Sequence, residues 1–157
     1  MRITFDIAGD VQFDREILRL TERAEDVKPA FEHIVDRIEG WERQQFDTEG
    51  GRASSGWRPI KQSTIDAKRR AGLDTRILHA THALRDSLTN TYAEGAIREI
   101  GKQELKYGTE VPYAGVHQRG RKDGTMPARK PLEFREDDRR QIVKDLQAWI
   151  VRGEFLP

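Results

Sequence analysis

The sequence predicts an α+β fold, in which a small, mostly antiparallel sheet of about four strands packs against amphipathic helices, with long loops. Three observations predict it. Short segments near the N-terminus and between residues 89 and 108 alternate apolar with polar side chains, as half-buried strands do. Longer segments carry apolar residues at helical spacing, most regularly from Phe31 to Trp41 and from Ile142 to Ile150. Between the last strand and the last helix lies the run Met126-Pro127-Ala128-Arg129-Lys130-Pro131-Leu132. Neither a helix interior nor a central strand accommodates its two prolines, so it is predicted as an extended, pre-stiffened arm.

In chain order, Ile3, Phe5 and Ile7 alternate with Arg2, Thr4 and Asp6 and predict a strand ended by Gly9. Asp14 suits the N-cap of a short helix using Ile17, Leu20 or Thr21, and Ala24, with Phe13 stapled onto Leu18. Pro29 fits the first position of a second helix, whose Phe31, Ile34, Val35, Ile38 and Trp41 form the stripe expected to build the core. Thr48 to Gly56 lacks periodicity and bulky apolar residues, and is expected to be a flexible loop, either solvated or ordered against a neighbouring subunit. Ser63 then reads as an N-cap with Asp66 as its capping-box partner, and Gly72 as the stop of that short helix. Its basic end, Lys68-Arg69-Arg70, suits the helix dipole or an acidic partner. Asp74 to Leu88 is predicted as a further helix through Ile77, Leu78, Thr81, Leu84 and Leu88. Three strands follow, Thr89–Tyr92, Ala96–Ile100 and Glu104–Gly108, with turns at Ala93-Glu94-Gly95 and Gly101-Lys102-Gln103. A short segment then carries Tyr113 and His117. The last helix starts at Asp137, buries Ile142, Val143, Leu146, Trp149 and Ile150, and stops at Gly153.

Composition narrows the functional classes. A chain of 157 residues without internal repeats suits one domain spanning 1–157. The apolar fraction is 36%, low for a globular chain even with its 13 glycines added, yet 28 basic residues against 27 acidic ones leave a net charge of only +1. Disorder favours low hydrophobicity combined with large net charge, so the prediction is a folded domain with a thin core that finishes burying its surface in an assembly. The absence of cysteine removes disulfides and thiolate metal sites and fits a reducing compartment. The N-terminus lacks a signal-peptide pattern, and no apolar run reaches the roughly 20 residues of a membrane span, so a soluble protein without membrane contact is expected.

The residues offer little for catalysis. His117 is the best candidate base and Asp123 the nearest acid, but no serine accompanies them and no G-x-S-x-G or phosphate-binding glycine motif occurs. His117 more simply closes its segment by hydrogen bonding. His79 and His82 could share a metal, but they lack a cysteine and, apart from Asp86, a carboxylate at a helpful spacing. They are read as surface or boundary histidines, and neither a metal nor a cofactor is expected. Arg119, Arg121, Lys122, Arg129 and Lys130 form a basic loop and arm fitted for contact with phosphates or with a partner protein, with Met126, Pro127, Ala128, Pro131 and Leu132 as a subunit-docking arm.

The order Gly108-Thr109, Pro112-Tyr113-Ala114, Val116-His117-Gln118, Gly120, and Met126-Pro127-Ala128-Arg129-x-Pro131-Leu132 resembles the Mu-type phage virion morphogenesis (tail completion) family. Upstream, Trp57-x-x-Ile60-x-x-Ser63-Thr64-x-x-x-Lys68 and Ile77-Leu78-x-x-Thr81-x-x-Leu84-x-x-Ser87-Leu88 are similar to two further blocks of that family. His82 departs from it, standing where the family usually has glycine, and Lys130-Pro131-Leu132-Glu133-Phe134 is a less regular match. The resemblance covers roughly Phe31 to Trp149. It implies a noncatalytic structural protein of a tailed phage or prophage that completes the tail and joins it to the head. Such proteins are thought to act as rings that DNA passes through. The implied partners are copies of itself in a ring, taken as a hexamer, the adjoining tail tube and head-connector proteins, and passing double-stranded DNA. The implied location is the neck of the virion, after assembly in the host cytoplasm. A ring closes through unlike lateral faces, which dense, balanced charge suits. The alternatives are a DNA-binding or regulatory protein using the loop 119–130, and an unrecognised hydrolase.

Overall fold

The computed structural model describes residues 11–53 and 56–155. The predicted strand Ile3–Ile7, Ser54 and Ser55 lie outside the described residues. The element order is α1 (Val11–Glu25), α2 (Lys28–Asp47), α3 (Gln62–Arg70), α4 (Ala83–Thr89), β1 (Ala96–Ile100), β2 (Leu105–Thr109), α5 (Ala114–Arg119) and α6 (Glu136–Arg152). The fold class is α+β as predicted, but the sheet among the described residues has two strands rather than about four.

Helix α2 is the axis of the fold. Pro29 sits in its first turn, where a missing N–H costs nothing. Ile34, Val35 and Ile38 are buried along it, while Phe31 and Trp41 are half-buried at the edges of the stripe. Near its C-terminal end, Phe46 packs edge-on against Trp57 with ring centroids 5.4 Å apart. These two join Ile77, Leu84 and Leu88 in the main apolar cluster. The hairpin β1–β2 is antiparallel in the register Ala96↔Thr109, Arg98↔Tyr107 and Ile100↔Leu105, so two of the predicted strands stand almost as placed. Thr89–Tyr92 is not a strand. Thr89 ends α4 with its hydroxyl donated back to the Arg85 carbonyl, and Asn90 Oδ1 accepts the Tyr92 N–H at 3.0 Å, so local side-chain bonds override β propensity.

The predicted helix Asp74–Leu88 is reduced to α4. Asp74 Oδ1 takes the Arg76 N–H at 2.9 Å, and Leu78 and His82 both adopt left-handed backbone conformations at φ 61°. This broken path turns both Ile77 and His79 into the interior, which a helix could not do with residues two apart. His79 is therefore fully buried, not a surface or boundary histidine. Ser63 is not an N-cap either: the cap is extended Lys61, two residues earlier, and Asp66 accepts hydrogen bonds from Gln62 and Arg69.

The loop expected to be flexible is tied down over its first half. Thr48 Oγ1 donates to the Gln44 carbonyl and accepts from Gly51 N–H, and Gln45 Oε1 accepts from Arg52 N–H. Gly50 lies flat on the Trp57 indole, where a Cβ would come within 2.4 Å of Cγ. At the other end, α1 begins at Val11, which puts Asp14 in the first turn rather than at the cap, and both Phe13 and Leu18 are exposed.

Helix α6 packs along α2 through charge as much as through apolar contact. Its buried residues are Asp138, Asp145 and Ala148, whereas Val143 is exposed and Ile142, Leu146, Trp149 and Ile150 are half-buried. Asp145 accepts from Arg37 at 2.8 Å. Asp138 accepts the Arg52 guanidinium at 2.6 Å and the Arg135 N–H at 2.8 Å, which caps the helix. Buried, paired charge fills sites that periodicity alone assigns to apolar side chains.

A basic cleft beside the proline-bounded arm

The arm from Met126 to Leu132 lies on the protein's own surface. Its middle is held by the core: the Lys130 carbonyl accepts from Trp57 Nε1 at 3.0 Å and from Gln45 Nε2 at 3.2 Å. Gln118, on α5, clamps the far end by donating to the Leu132 carbonyl at 2.7 Å and accepting its N–H at 3.3 Å. Arg129 is turned inward. Its N–H bonds the His117 carbonyl, and its guanidinium donates to the carbonyls of Arg58 and Pro59 at 2.7 and 3.3 Å. Gly120 lets the chain cross beneath this arm at φ 74°, where a Cβ would stand 2.8 Å from the Ala128 nitrogen.

Between the arm, α3, α5 and the 77–84 segment lies a cleft of about 880 Å³. Thr64 and Lys68, one helical turn apart on α3, supply one wall. Leu84, Leu78 and Ile77 line the apolar side, Tyr113 at the N-cap of α5 and His117 in its last turn contribute, and Met126, Pro127 and Arg129 come from the arm. Arg58 and Lys61 join them, and none of the described lining residues is a carboxylate.

The electrostatics follow from that imbalance. Burial pushes the Lys68 ammonium below its ordinary range despite the nearby Asp74 and Glu49 charges, and Arg129 adds to the depression. Burial also lowers His117, with the positive charges of Arg129 and Lys68 acting in the same direction, so its imidazole is held neutral. Its Nδ1 is buried without a hydrogen-bond partner, while its ring meets Tyr113 edge-on. The cleft is thus an apolar-walled, cationic site suited to an anionic or acidic-apolar group.

The basic residues predicted for contact divide into two sets. Arg119, Arg121, Lys122 and Lys130 are exposed, with Lys130 Nζ 3.5 Å from Glu133 Oε1. The loop carrying Arg121 and Lys122 is closed by Arg121 N–H to the Met126 carbonyl and by Asp123, which accepts from both the N–H and hydroxyl of Thr125. Of the arm residues, Ala128 is exposed, Pro131 is buried, and Leu132 is half-buried.

Two features escaped sequence reasoning. Arg58 and Lys61 stand either side of Pro59-Ile60 within the Trp57–Lys68 block, and only the fold brings them to the cleft beside the arm. Asp74, His79 and His82 come together only because the predicted helix is broken: their ligand-type atoms lie within 4.8 Å of one another. Asp86, the carboxylate singled out for these histidines, instead takes the Arg85 guanidinium at 3.1 Å. Hydrogen bonds from Arg76 hold the Asp74 carboxyl well below the usual carboxylate range.

The sequence profile of the phage virion morphogenesis family matches residues 9–151. The chain belongs to the phage virion morphogenesis family. Its role is structural, in building a phage virion. No curated protein and no solved structure matches the chain. No helix among the described residues is long and apolar enough to cross a membrane. The family-like positions Thr64, Lys68, Leu84, Tyr113 and His117, scattered along the chain, all line the one cleft, and Trp57 anchors the arm that closes it. His82, at the position where the resemblance implies glycine, sits in a left-handed conformation that glycine adopts without strain.

Proposed function

We propose that this protein completes the phage tail and joins it to the head, as one subunit of a ring around the DNA channel. The observation that carries the reading is a pair of unlike, unfilled surfaces at opposite ends of α2. At the N-terminal end, α1 is fastened by Arg23 Nη1 to the Ile150 carbonyl and by Trp149 Nε1 to the Asp26 carbonyl, while its Ile17 and Leu18 project into solvent. The cationic cleft forms at the other end, near Phe46. The helix α2 that runs between these ends has 20 residues and is about 30 Å long. Head-to-tail rings close through two such complementary patches on one subunit.

In this reading the cleft receives an acidic, apolar segment of the neighbouring subunit, and the arm shapes its rim. Six subunits make the ring, which seats between the tail tube and the head connector. The exposed Arg119, Arg121 and Lys122 face passing duplex DNA or the adjoining ring. The protein has no catalytic step in this role.

Electron microscopy of the purified full-length chain tests the ring. Annular particles are the expected outcome, and a monodisperse monomer at high concentration overturns the reading. The loop has its own test. Replacing Arg119, Arg121 and Lys122 with serine is expected to lower the slope of log affinity for duplex DNA against log salt by about 2–3. An unchanged slope places the loop against protein.

A further inference from the structure

The 74–82 segment forms one wall of the cleft, and beneath it three donor side chains converge that the structural role does not use. We infer that Asp74, His79 and His82 form a divalent-metal site of the zinc type. His79 carries the argument. Its side chain is fully buried, and Nε2 lies 3.1 Å from the Phe46 carbonyl, to which it donates its proton. That bond fixes the tautomer and leaves the lone pair on Nδ1, which is buried with no hydrogen-bond partner. A buried lone pair left unmatched is costly, and a backbone carbonyl orienting the opposite nitrogen is the usual support of a metal-binding imidazole.

The other two donors are close to the required spacing. His82 Nε2 stands 3.4 Å from Asp74 Oδ2. Two donors on a tetrahedral ion with bonds of about 2.0–2.1 Å are separated by about 3.4 Å. One ligand-type atom from each of the three residues falls within 4.8 Å of the others, and rotation of the half-exposed His82 and Asp74 side chains would bring their donors to the free nitrogen of His79. Two imidazoles and one carboxylate match the three-ligand zinc pattern, with the fourth position open to water or to a partner's side chain. One group competes. The Arg76 guanidinium donates to Asp74 Oδ2 at 2.7 Å and must swing aside, which it can do because it is exposed. Competition of this kind favours a moderate, micromolar-range affinity over a tight structural site. Bound metal would tie Asp74 and His82 to the buried His79 and so stiffen the segment carrying Ile77, Leu78, Ala80 and Thr81 along the cleft.

Zinc titration of the metal-stripped, full-length protein by calorimetry tests the site, with cobalt substitution to read coordination by its visible absorption. One equivalent of zinc, a rise in thermal midpoint, and a tetrahedral cobalt spectrum are the expected results. His82→Gly suits the left-handed backbone there, and Asp74→Asn keeps the side-chain shape. Each is expected to weaken zinc binding by about tenfold or more. His33→Ala, remote from the site, is expected to leave the affinity unchanged. Absence of saturable binding up to about 1 mM zinc, or an affinity unmoved in both Asp74→Asn and His82→Gly, overturns the inference.

Discussion

Glu42 lies on the buried side of α2, and its Oε2 has no hydrogen-bond partner. Burial pushes its carboxyl from the ordinary 4.5 up to about 8, an effect that the Arg52 charge offsets only in part. The fold therefore keeps a proton that the unfolded chain releases above pH 4.5, and stability declines as pH rises through the window from 4.5 to about 8. Glu42→Gln is neutral at every pH. It is expected to match the parent near pH 4.5 and to exceed its stability by about 1–4 kcal/mol at pH 9, measured by urea unfolding. Asp138 is the opposite case, a buried carboxylate with its partners in place. Asp138→Ala strands the Arg52 guanidinium and uncaps α6, and a loss of about 3–5 kcal/mol is expected in the same measurement. Replacing Arg52 with methionine in the Asp138→Ala background is expected to restore part of it, because the interior then holds no unpaired charge.

Among the elements, the arm depends on a crossing point that tolerates no side chain. Gly120→Ala adds a Cβ against the backbone of Met126 and Ala128 at a left-handed residue, with an expected cost of about 2–4 kcal/mol and faster proteolysis within 124–132. Gly124 has a similar positive φ but open space around it, so Gly124→Ala is expected to cost only about 1 kcal/mol. The contrast separates steric crossing from backbone conformation. These elements also show how far residue patterns reach. Pro29, the stripe of α2, Gly153 and the β1–β2 hairpin were legible because each rests on a local rule of periodicity or capping. The arm was legible as lying outside helix and sheet, because its two prolines disfavour both. The break at Asp74–His82 was not, because its cause is tertiary: Ile77 and His79 both turn inward to Phe46, at the price of left-handed Leu78 and His82. The cleft was legible only in pieces. Its motif positions were visible along the chain, whereas their convergence, and the burial of Arg129, depend on hydrogen bonds to carbonyls of Arg58 and Pro59 that no spacing encodes.

For the whole molecule, interior charge and exposed apolar surface point to the same design. Glu39 and Arg98 pair within the fold, with the guanidinium stacked 3.8 Å from the Tyr107 ring centroid, while Ile17 and Leu18 remain outside. Ile17→Ser with Leu18→Ser is expected to change monomer stability by no more than about 0.5 kcal/mol per site, yet to dissociate assembled rings in light scattering. Intact rings with both serines would remove α1 from the lateral contact. The molecule also carries its own optical gauge of these joints. Two of its three indoles donate to a backbone carbonyl at a junction, Trp57 to Lys130 under the arm and Trp149 to Asp26 where α1 meets α2. Wetting either ring shifts its emission to the red, since an indole N–H that loses a buried acceptor turns to water. Single-tryptophan variants would thus show which joint loosens first when one copy engages the next.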